Sequence, residues 1–391
     1  MPVLGDVSAF HDDMVAWRHD LHRHPELAYA EHRTAGVVAR LLRGFGVDEV
    51  VEGVGGTGVV GVLRHGSGPS IGLRADMDAL PIHELGEHAH RSRIDNTMHA
   101  CGHDGHTAML LGAARYLART RRFQGTVVLI FQPAEEGRAG AKAMLDDGLF
   151  ERFPVDSVYG VHNMPGQAAG TFAVAGGPIM AAADRFQVVF HGRGGHAAAP
   201  HQTRDPVIAG AAAVAALQSV VSRNTAPDEA LVLSITEFHA GEAFNVIPDT
   251  ARLGGTMRYF DSAVGAAARR RMDGILSGIA AAHDMTVEVR HMQGYPPTVN
   301  TAREAGIARQ AAVDLLGEDA VLVQKPFMFS EDFSYFLQVR PGAYAFLGNG
   351  DGDGCASLHN PRYDFNDRIL PLGAAYFCCL AEAASGLRPG S

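Results

Sequence analysis

The densest group of metal-binding side chains lies at positions 98–106, which read Met-His-Ala-Cys-Gly-His-Asp-Gly-His. Residues two apart do not share a helix face, so Cys101 and His103 are predicted on a loop that enters a helix. There a thiolate and an imidazole could converge on one borderline-soft divalent ion such as zinc. The alternative is a free cysteine packed in the core beside surface histidines. The cluster favours metal binding once the segments below are considered with it.

Four further segments carry acidic or histidine side chains at or soon after the ends of predicted strands. These side chains are Asp76 and Asp78, the adjacent pair Glu135 and Glu136, His162, and His359. Sheets of the α/β class place their binding sites at the carboxyl ends of strands. For the glutamate pair alone, solvated surface charge would be the better explanation, and any single segment would prove little. The coincidence of four segments favours a metal site over scattered surface polarity. Within the glutamate pair, one carboxylate could bind metal while the other accepts a proton from bound water.

The elements that position these segments predict an α/β fold. Apolar residues at helical spacing predict helices over 8–27 and 31–45, and a further helix is predicted to begin after His106. His22 and His24 would lie on the first helix and only pack or hydrogen-bond. Almost wholly apolar runs predict buried strands over 126–131 and 156–161. Strands alternating with helices indicate a mixed, mostly parallel sheet.

The pattern changes within the interval 183–295. Its predicted order is β-α-β-β-α-β, which is typical of a ferredoxin-like domain. After residue 296 the α/β pattern returns. We therefore predict a discontinuous metal-binding catalytic domain, 1–182 and 296–391, interrupted by a lid and dimerisation domain at 183–295. The exposed edges of its antiparallel sheet and an Ala-rich helix over 205–221 favour a homodimer, with a monomer as the alternative.

Composition excludes several classes of protein. The chain has 391 residues, 47% of them hydrophobic, and a net charge of −10 without a Lys/Arg block, which argues against nucleic-acid binding. No run approaches about 18 continuous apolar residues, so no membrane span is predicted. No secretory signal is recognised at the N-terminus. Four cysteines do not make a disulfide scaffold, and a reducing cytoplasm is the predicted location.

The motifs together resemble the M20 family of metallo-amidohydrolases. The similarity is to the branch that contains hippurate hydrolases, N-acyl-amino-acid amidohydrolases and auxin-conjugate hydrolases, and it spans nearly the whole chain. The matching segments are 17–27, 74–81, 99–104, 132–137, 192–196, 244–249, 330–333 and 358–361.

This resemblance implies two divalent metal ions, with zinc, manganese, cobalt and nickel all open. Their ligands would be Cys101, His103, Glu136, His162 and His359. Cys101 would bridge or link the ions, where many relatives use an aspartate. Asp78 would orient the ligands from behind, and Asp76 would lie in or near that supporting layer.

The resemblance also implies roles for residues that do not bind metal. Glu135 would be the general base, and His196 would donate to the negative charge that develops on the scissile carbonyl. Asn245 and Arg258 would position the substrate. Arg258 suits the carboxylate of the leaving group, because its guanidinium can donate two parallel hydrogen bonds. The alternatives are a simple loop histidine for His196 and an ordinary surface ion pair for Arg258. In the implied homodimer, His196 reaches the metal site of the other subunit.

The predicted function is hydrolysis of an N-acyl amino acid, of the hippurate or N-acetyl type, to a carboxylic acid and a free amino acid. A dipeptidase or peptidase with the same dinuclear centre is one alternative. A metal- or ligand-binding protein without turnover is another. Glu135 argues against the latter, since binding alone does not need a base.

Overall fold

The computed structural model describes residues 2–323, 325–352 and 355–386. The chain divides into two compact units, and both are discontinuous in sequence. The first comprises Met1–Gly177, Val299–Lys325 and Asp332–Ser391, and the second comprises Pro178–Thr298 and Pro326–Glu331.

The second unit extends beyond the predicted interval 183–295 and includes 326–331, which the sequence assigns to the catalytic domain. Backbone hydrogen bonds explain this difference. The amide of Phe327 donates to the carbonyl of Ile179 at 2.9 Å, and the amide of Ala181 donates to the carbonyl of Phe327 at 3.0 Å. These long-range contacts leave no local signal in the sequence.

Single helices or short runs of helices alternate with single strands or short runs of strands along the chain. The helices are α1 (Pro2–Ser8), α2 (His11–Arg23), α3 (His32–Phe45), α4 (His103–Thr120), α5 (Glu135–Arg138), α6 (Gly140–Asp146), α7 (Leu149–Arg152), α8 (Pro206–Asn224), α9 (Ser262–Ala282), α10 (Ala302–Leu316), α11 (Ser334–Val339) and α12 (Leu370–Ala384). The strands are β1 (Glu49–Val54), β2 (Gly58–His65), β3 (Ser70–Asp76), β4 (Gly125–Gln132), β5 (Ser157–Pro165), β6 (Phe172–Val174), β7 (Gly177–Met180), β8 (Asp184–His191), β9 (Gly195–His196), β10 (Leu231–His239), β11 (Val246–Ile247), β12 (Thr250–Tyr259), β13 (Thr286–Met292), β14 (Thr298–Asn300), β15 (Val321–Val323) and β16 (Gly342–Gly350).

The first unit is built on an eight-stranded mixed sheet in the order β1-β2-β4-β3-β5-β16-β6-β15. Its four central strands, β4, β3, β5 and β16, are mutually parallel. They are almost continuously buried, as parallel strands covered on both faces must be. The predicted mixed, mostly parallel α/β sheet is confirmed, and its centre carries the chemical segments.

Three predicted boundaries near those segments are corrected. Helix α2 ends at Arg23 rather than near residue 27, because the residue before Pro25 is driven out of the helical region. Helix α4 begins at His103 rather than after His106. Strand β5 continues to Pro165, because β16 pairs with it beyond the apolar run, so His162 lies inside the strand.

The second unit contains a four-stranded antiparallel sheet in the order β10-β12-β8-β13. Helices α8 and α9 pack against it, which confirms the ferredoxin-like β-α-β-β-α-β arrangement. Helix α8 is long and apolar enough to span a membrane by length and composition alone, with a mean hydropathy of 1.4. Its residues Ala209, Ala213 and Leu217 are buried in the core of this unit, and a core helix passes the same test.

Candidate metal centre and active site

Two groups of metal-binding side chains meet at Cys101. One consists of Cys101, His103 and His162, the other of Cys101, Glu136 and His359, and in each the ligand atoms lie within 4.8 Å of one another. The Sγ atom of Cys101 is 3.4 Å from Nε2 of His162. Oε1 of Glu136 is 3.2 Å from Nε2 of His359. The structure therefore brings together the five side chains that the sequence predicts as ligands.

Gly102 allows Cys101 and His103 to face the same place. It caps α4 with a φ of 91°, a left-handed conformation that favours glycine. A Cβ atom here would lie 2.4 Å from Oδ1 of Asn163 and 2.6 Å from the hydroxyl of Tyr363. The chain can therefore reverse between the two side chains only if this residue has no side chain.

Asp78 fixes the orientation of two of the five side chains. Nδ1 of His103 lies 3.0 Å from the carbonyl oxygen of Asp78 and 3.2 Å from its Oδ1 atom. The other carboxylate oxygen of Asp78 accepts a 2.9 Å hydrogen bond from the amide of Glu136. One carboxylate thus supports a residue from each group, as predicted for a side chain that orients metal ligands.

His103 and Glu136 each keep a buried polar atom for the centre. Among the described residues, Nε2 of His103 makes no hydrogen bond, and Oε1 of Glu136 has only its 3.2 Å contact with Nε2 of His359. Burial lowers the pKa of His103, but the Asp76 carboxylate, the Cys101 side chain and the hydrogen bond to Asp78 together outweigh burial and raise the pKa well above its ordinary value. Unsatisfied buried polar atoms are costly, and a cation among them would satisfy both.

His162 and His359 each complete one of the two groups, and their surroundings shift their pKa values in opposite directions. Nδ1 of His162 donates to the carbonyl of Asn163 at 2.7 Å, and burial together with His106 lowers the pKa of His162, favouring a neutral imidazole. The side chains of Cys101 and Glu136 raise the pKa of His359 to about 10. A pocket that stabilises a proton so strongly also attracts a metal cation.

The two adjacent glutamates have different partners because the chain bends sharply around them. Ala134 has a φ of 54° and Gly137 a φ of 73°, so α5 is interrupted inside its single turn. Glu136 approaches Cys101, whereas Oε1 of the buried Glu135 accepts a hydrogen bond from the amide of Asp332 at 3.4 Å. A left-handed alanine is costly, and such strain concentrates at functional sites.

A buried network behind the centre includes residues that the sequence leaves without a role. His106 contacts Asp76 at 2.6 Å through Nδ1 and Oδ1 of Asn163 at 2.7 Å through Nε2. Both ring nitrogens of His106 are engaged, so it supports the site rather than completing either group. Asp76 also accepts from Arg74 at 2.8 Å and lies 3.8 Å from Nε2 of His103. Asn163 directly follows the predicted ligand His162, and this adjacency was the one feature of the sequence that could have indicated a supporting role for Asn163.

The remaining predicted site residues lie in the second unit. His196 on β9 is directly opposite Val246 on β11, and the amide of Ala197 donates to the carbonyl of Asn245 at 3.0 Å. Both His196 and Asn245 are exposed. Nδ1 of His196 accepts from the amide of Ala198 at 3.0 Å, so a neutral ring carries its proton on Nε2.

Arg258 lies half-buried on β12. Burial and the nearby Arg185 lower its pKa. No carboxylate of the described chain forms an ion pair with Arg258, unlike Arg269, which pairs with Asp184 at 2.5 Å. The ordinary surface ion pair considered from the sequence is thus not seen, and the guanidinium is available to an anion.

Comparison with known proteins identifies the family. The model of peptidase family M20/M25/M40 matches residues 72–383. The hippurate hydrolase of Campylobacter jejuni is 45% identical over 93% of this chain and 94% of its own length. The IAA-amino acid hydrolase ILR1-like 2 of Arabidopsis thaliana is 42% identical over 95% of this chain and 84% of its own.

A solved structure agrees with this assignment. The YXEP protein of Bacillus subtilis, described as a dinuclear metal binding peptidase of the M20 family, superposes with a TM-score of 0.86 at 34% identity. The alignment covers 97% of this chain and 99% of that one. The resemblance read from the sequence motifs is confirmed. The chain therefore belongs to peptidase family M20/M25/M40 and is a metal-dependent amidohydrolase of that family.

Proposed function

We propose that the protein hydrolyses the amide bond of N-acyl amino acids, of the hippurate or N-acetyl type, releasing a carboxylic acid and a free amino acid. The observation that carries the proposal is the shared position of Cys101 in both ligand groups, one of which includes Glu136, the residue next to Glu135. Relatives named hippurate hydrolase and IAA-amino acid hydrolase support this choice of substrate class.

The centre is proposed to bind two divalent ions. His103 and His162 would hold one, Glu136 and His359 the other, and the thiolate of Cys101 would link them. One thiolate, three imidazoles and one carboxylate suit zinc, while manganese, cobalt and nickel remain candidates. This centre, with its metal bound, would supply Lewis-acid polarisation of the scissile carbonyl and a bound water of lowered pKa.

The protein's own residues would carry out the proton transfers. Glu135 accepts the proton of the attacking water and returns it to the leaving nitrogen. Its hydrogen bond from the amide of Asp332 fixes the orientation of the carboxylate. Asp78 holds His103 and Glu136 in place, so the ligands do not reorganise during turnover.

The second unit is proposed to recognise the substrate and to form a homodimer. Arg258 would bind the carboxylate of the amino acid, and Asn245 would help to position it. His196 would donate from Nε2 to the carbonyl oxygen of a substrate in the other subunit, in agreement with the proton position inferred for its ring. The unit would also close over the substrate and exclude water.

A substrate panel tests the proposed reaction. The protein is stripped with a chelator, reloaded separately with zinc, manganese, cobalt or nickel, and assayed with N-benzoylglycine, N-acetyl amino acids and dipeptides. We expect no turnover without metal and a higher kcat/KM for N-acyl amino acids than for dipeptides. The reverse preference would establish the peptidase alternative, and no turnover with any metal would support a protein that only binds.

Co-expression tests the shared site. Glu135→Gln and His196→Ala chains are co-expressed with different tags, and mixed dimers are isolated. A site built from two subunits predicts recovered activity, because one centre receives Glu135 from one chain and His196 from the other. Inactive mixed dimers would refute sharing, and a monomer at the assay concentration would refute the dimer.

The proposed location is the cytoplasm. All four cysteines are free thiols, and Cys101 must remain reduced to bind metal. Cell fractionation with an antibody against the protein tests this location, and enrichment in a secreted fraction would contradict it.

A further inference from the structure

Apart from the two groups that share Cys101, another group of side chains able to bind metal lies on and beside the long connection 77–102, between β3 and α4. This connection contains no helix or strand. Loops longer than about 12–15 residues without such structure are uncommon and are often functional. Glu84 and His88 on the connection meet His22 of α2, and their ligand atoms lie within 4.8 Å of one another.

The three side chains converge on one oxygen atom. Oε1 of Glu84 is 3.2 Å from Nε2 of His22 and 2.7 Å from Nε2 of His88. The side chains of His22 and Glu84 are 0% and 1% exposed, and that of His88 is 19% exposed. The second oxygen of Glu84 accepts from the amide of Ser92 at 2.7 Å, which fixes the carboxylate.

A buried carboxylate orients the central histidine. Nδ1 of His22 lies 2.8 Å from Oδ2 of Asp104, so the imidazole is held from behind and its Nε2 faces Glu84. A histidine that donates one ring nitrogen to a carboxylate while the other faces a ligand group is the usual arrangement in metal sites. His90 is excluded as a ligand, because its Nε2 contacts Arg18 at 2.8 Å and Asp364 at 3.0 Å.

The local charge favours a cation. The carboxylates of Glu84, Asp104 and Asp364 surround the histidines, and Arg18 supplies the nearby guanidinium. Arg18 approaches His22 at Nδ1, at 3.3 Å, which is the nitrogen on the side away from Glu84. The guanidinium therefore does not occupy the position between His22, Glu84 and His88.

We propose that His22, Glu84 and His88 bind a divalent transition metal ion of the zinc class, outside the catalytic centre. Two imidazoles and a carboxylate form a recognised zinc-binding set, with water as the further ligand. The ion ties the connection 77–102 to α2 and stabilises the conformation in which His22, Glu84 and His88 meet. Metal binding to a preformed site contributes directly to the stability of the fold around it.

Metal content tests this site in the full-length protein. Wild type, His88→Gln and the control His83→Gln, an exposed histidine of the same loop, are stripped and loaded with cobalt. We expect His88→Gln to bind one ion fewer per chain than wild type and the control, with unchanged hydrolytic activity. Glu84→Gln serves as a second variant of similar volume. Equal cobalt content in all these proteins would overturn the proposal.

The cobalt spectrum separates the two sites. A cobalt ion beside Cys101 gives a thiolate-to-metal charge-transfer band, whereas His22, Glu84 and His88 supply no sulfur. We expect His88→Gln to lose ligand-field absorbance and to keep the charge-transfer band. Loss of both in parallel would place the effect at the catalytic centre and overturn the assignment.

Limited proteolysis tests whether the metal ion holds the connection 77–102 against α2. Arg91 and Arg93 are exposed on the connection and are sites for trypsin. If cleavage requires opening, cobalt at ten times its dissociation constant should slow cleavage about tenfold in wild type. His88→Gln should lose this protection while His83→Gln keeps it. Equal protection of His88→Gln and wild type by cobalt would overturn the proposal that the ion holds the connection 77–102 in place.

Discussion

Replacing Asp78 by asparagine removes the charge that supports both halves of the metal centre. The carboxylate faces Nδ1 of His103 at 3.2 Å and accepts from the amide of Glu136 at 2.9 Å. Asparagine has nearly the same shape but offers a single acceptor oxygen. One of the two donors must therefore face an NH₂ group.

The size of the effect follows from the hydrogen bond that is lost. A hydrogen bond to a charged group contributes about 1.5–3 kcal/mol. At 1.36 kcal/mol per factor of ten, this corresponds to roughly tenfold to 150-fold. His103 keeps its 3.0 Å contact with the backbone carbonyl of residue 78, which limits the loss. We expect a metal affinity about 10- to 100-fold below that of wild type, the usual range for such supporting residues.

The measurement is a competition titration against a chromophoric chelator, followed by kcat/KM at saturating metal. Asp78→Asn should recover part of its rate once the metal is saturating, because the ligands themselves remain. Asp228→Asn, at an exposed position of the second unit, is the matched control. A metal affinity within twofold of wild type would refute the role assigned to Asp78.

Four other substitutions have distinct expected results. Glu135→Gln should keep its metal and lose about a hundredfold or more in kcat, whereas Glu136→Gln should lose metal. Elemental analysis of both variants, together with their kinetics, checks this. The opposite pattern would exchange the roles of the two glutamates. Arg258→Ala should raise KM for N-acyl amino acids at least about tenfold but not for their amides, and equal effects on both would remove the carboxylate contact. Arg18→Met removes the guanidinium partner of the buried Asp104, which keeps only its contact with His22, and should cost up to about 3–5 kcal/mol in the free energy of unfolding at pH 7, measured by denaturant titration with chelator present. Burial raises the pKa of Asp104, but Arg18 and His22 together hold it well below its ordinary value. The stabilisation that these partners give is therefore present above the unfolded pKa of about 3.9 and is lost as the pH falls through the folded pKa. The cost of Arg18→Met should therefore shrink below about pH 4, and a constant difference would contradict this account.

Periodicity and burial made the layers of the fold predictable. The apolar runs of β4 and β5 could only be central strands, and alternation in β8 marked a sheet with one covered face. The start of α4 was not predictable from apolar spacing. It depends on the left-handed Gly102, whose need for glycine comes from Asn163 and Tyr363 far along the chain.

Residue type and spacing indicated the metal-binding side chains but not their supports. Cys101, His103 and Glu136 are recognisable because each lies in a segment rich in metal-binding residues. The bend that separates the partners of Glu135 and Glu136 depends on strained backbone angles that composition does not reveal. His22 seemed a packing residue, because a helix position says nothing about a loop that folds against it.

The proposal for the catalytic centre depends most directly on Cys101, which belongs to both ligand groups. The decisive measurement is the metal content and the rate of N-acyl amino acid hydrolysis of Cys101→Ala, beside the exposed-cysteine control Cys355→Ala. We predict that Cys101→Ala binds less metal than wild type and loses turnover, while Cys355→Ala keeps both. A full complement of metal and a wild-type rate in Cys101→Ala would contradict a thiolate-linked hydrolytic centre.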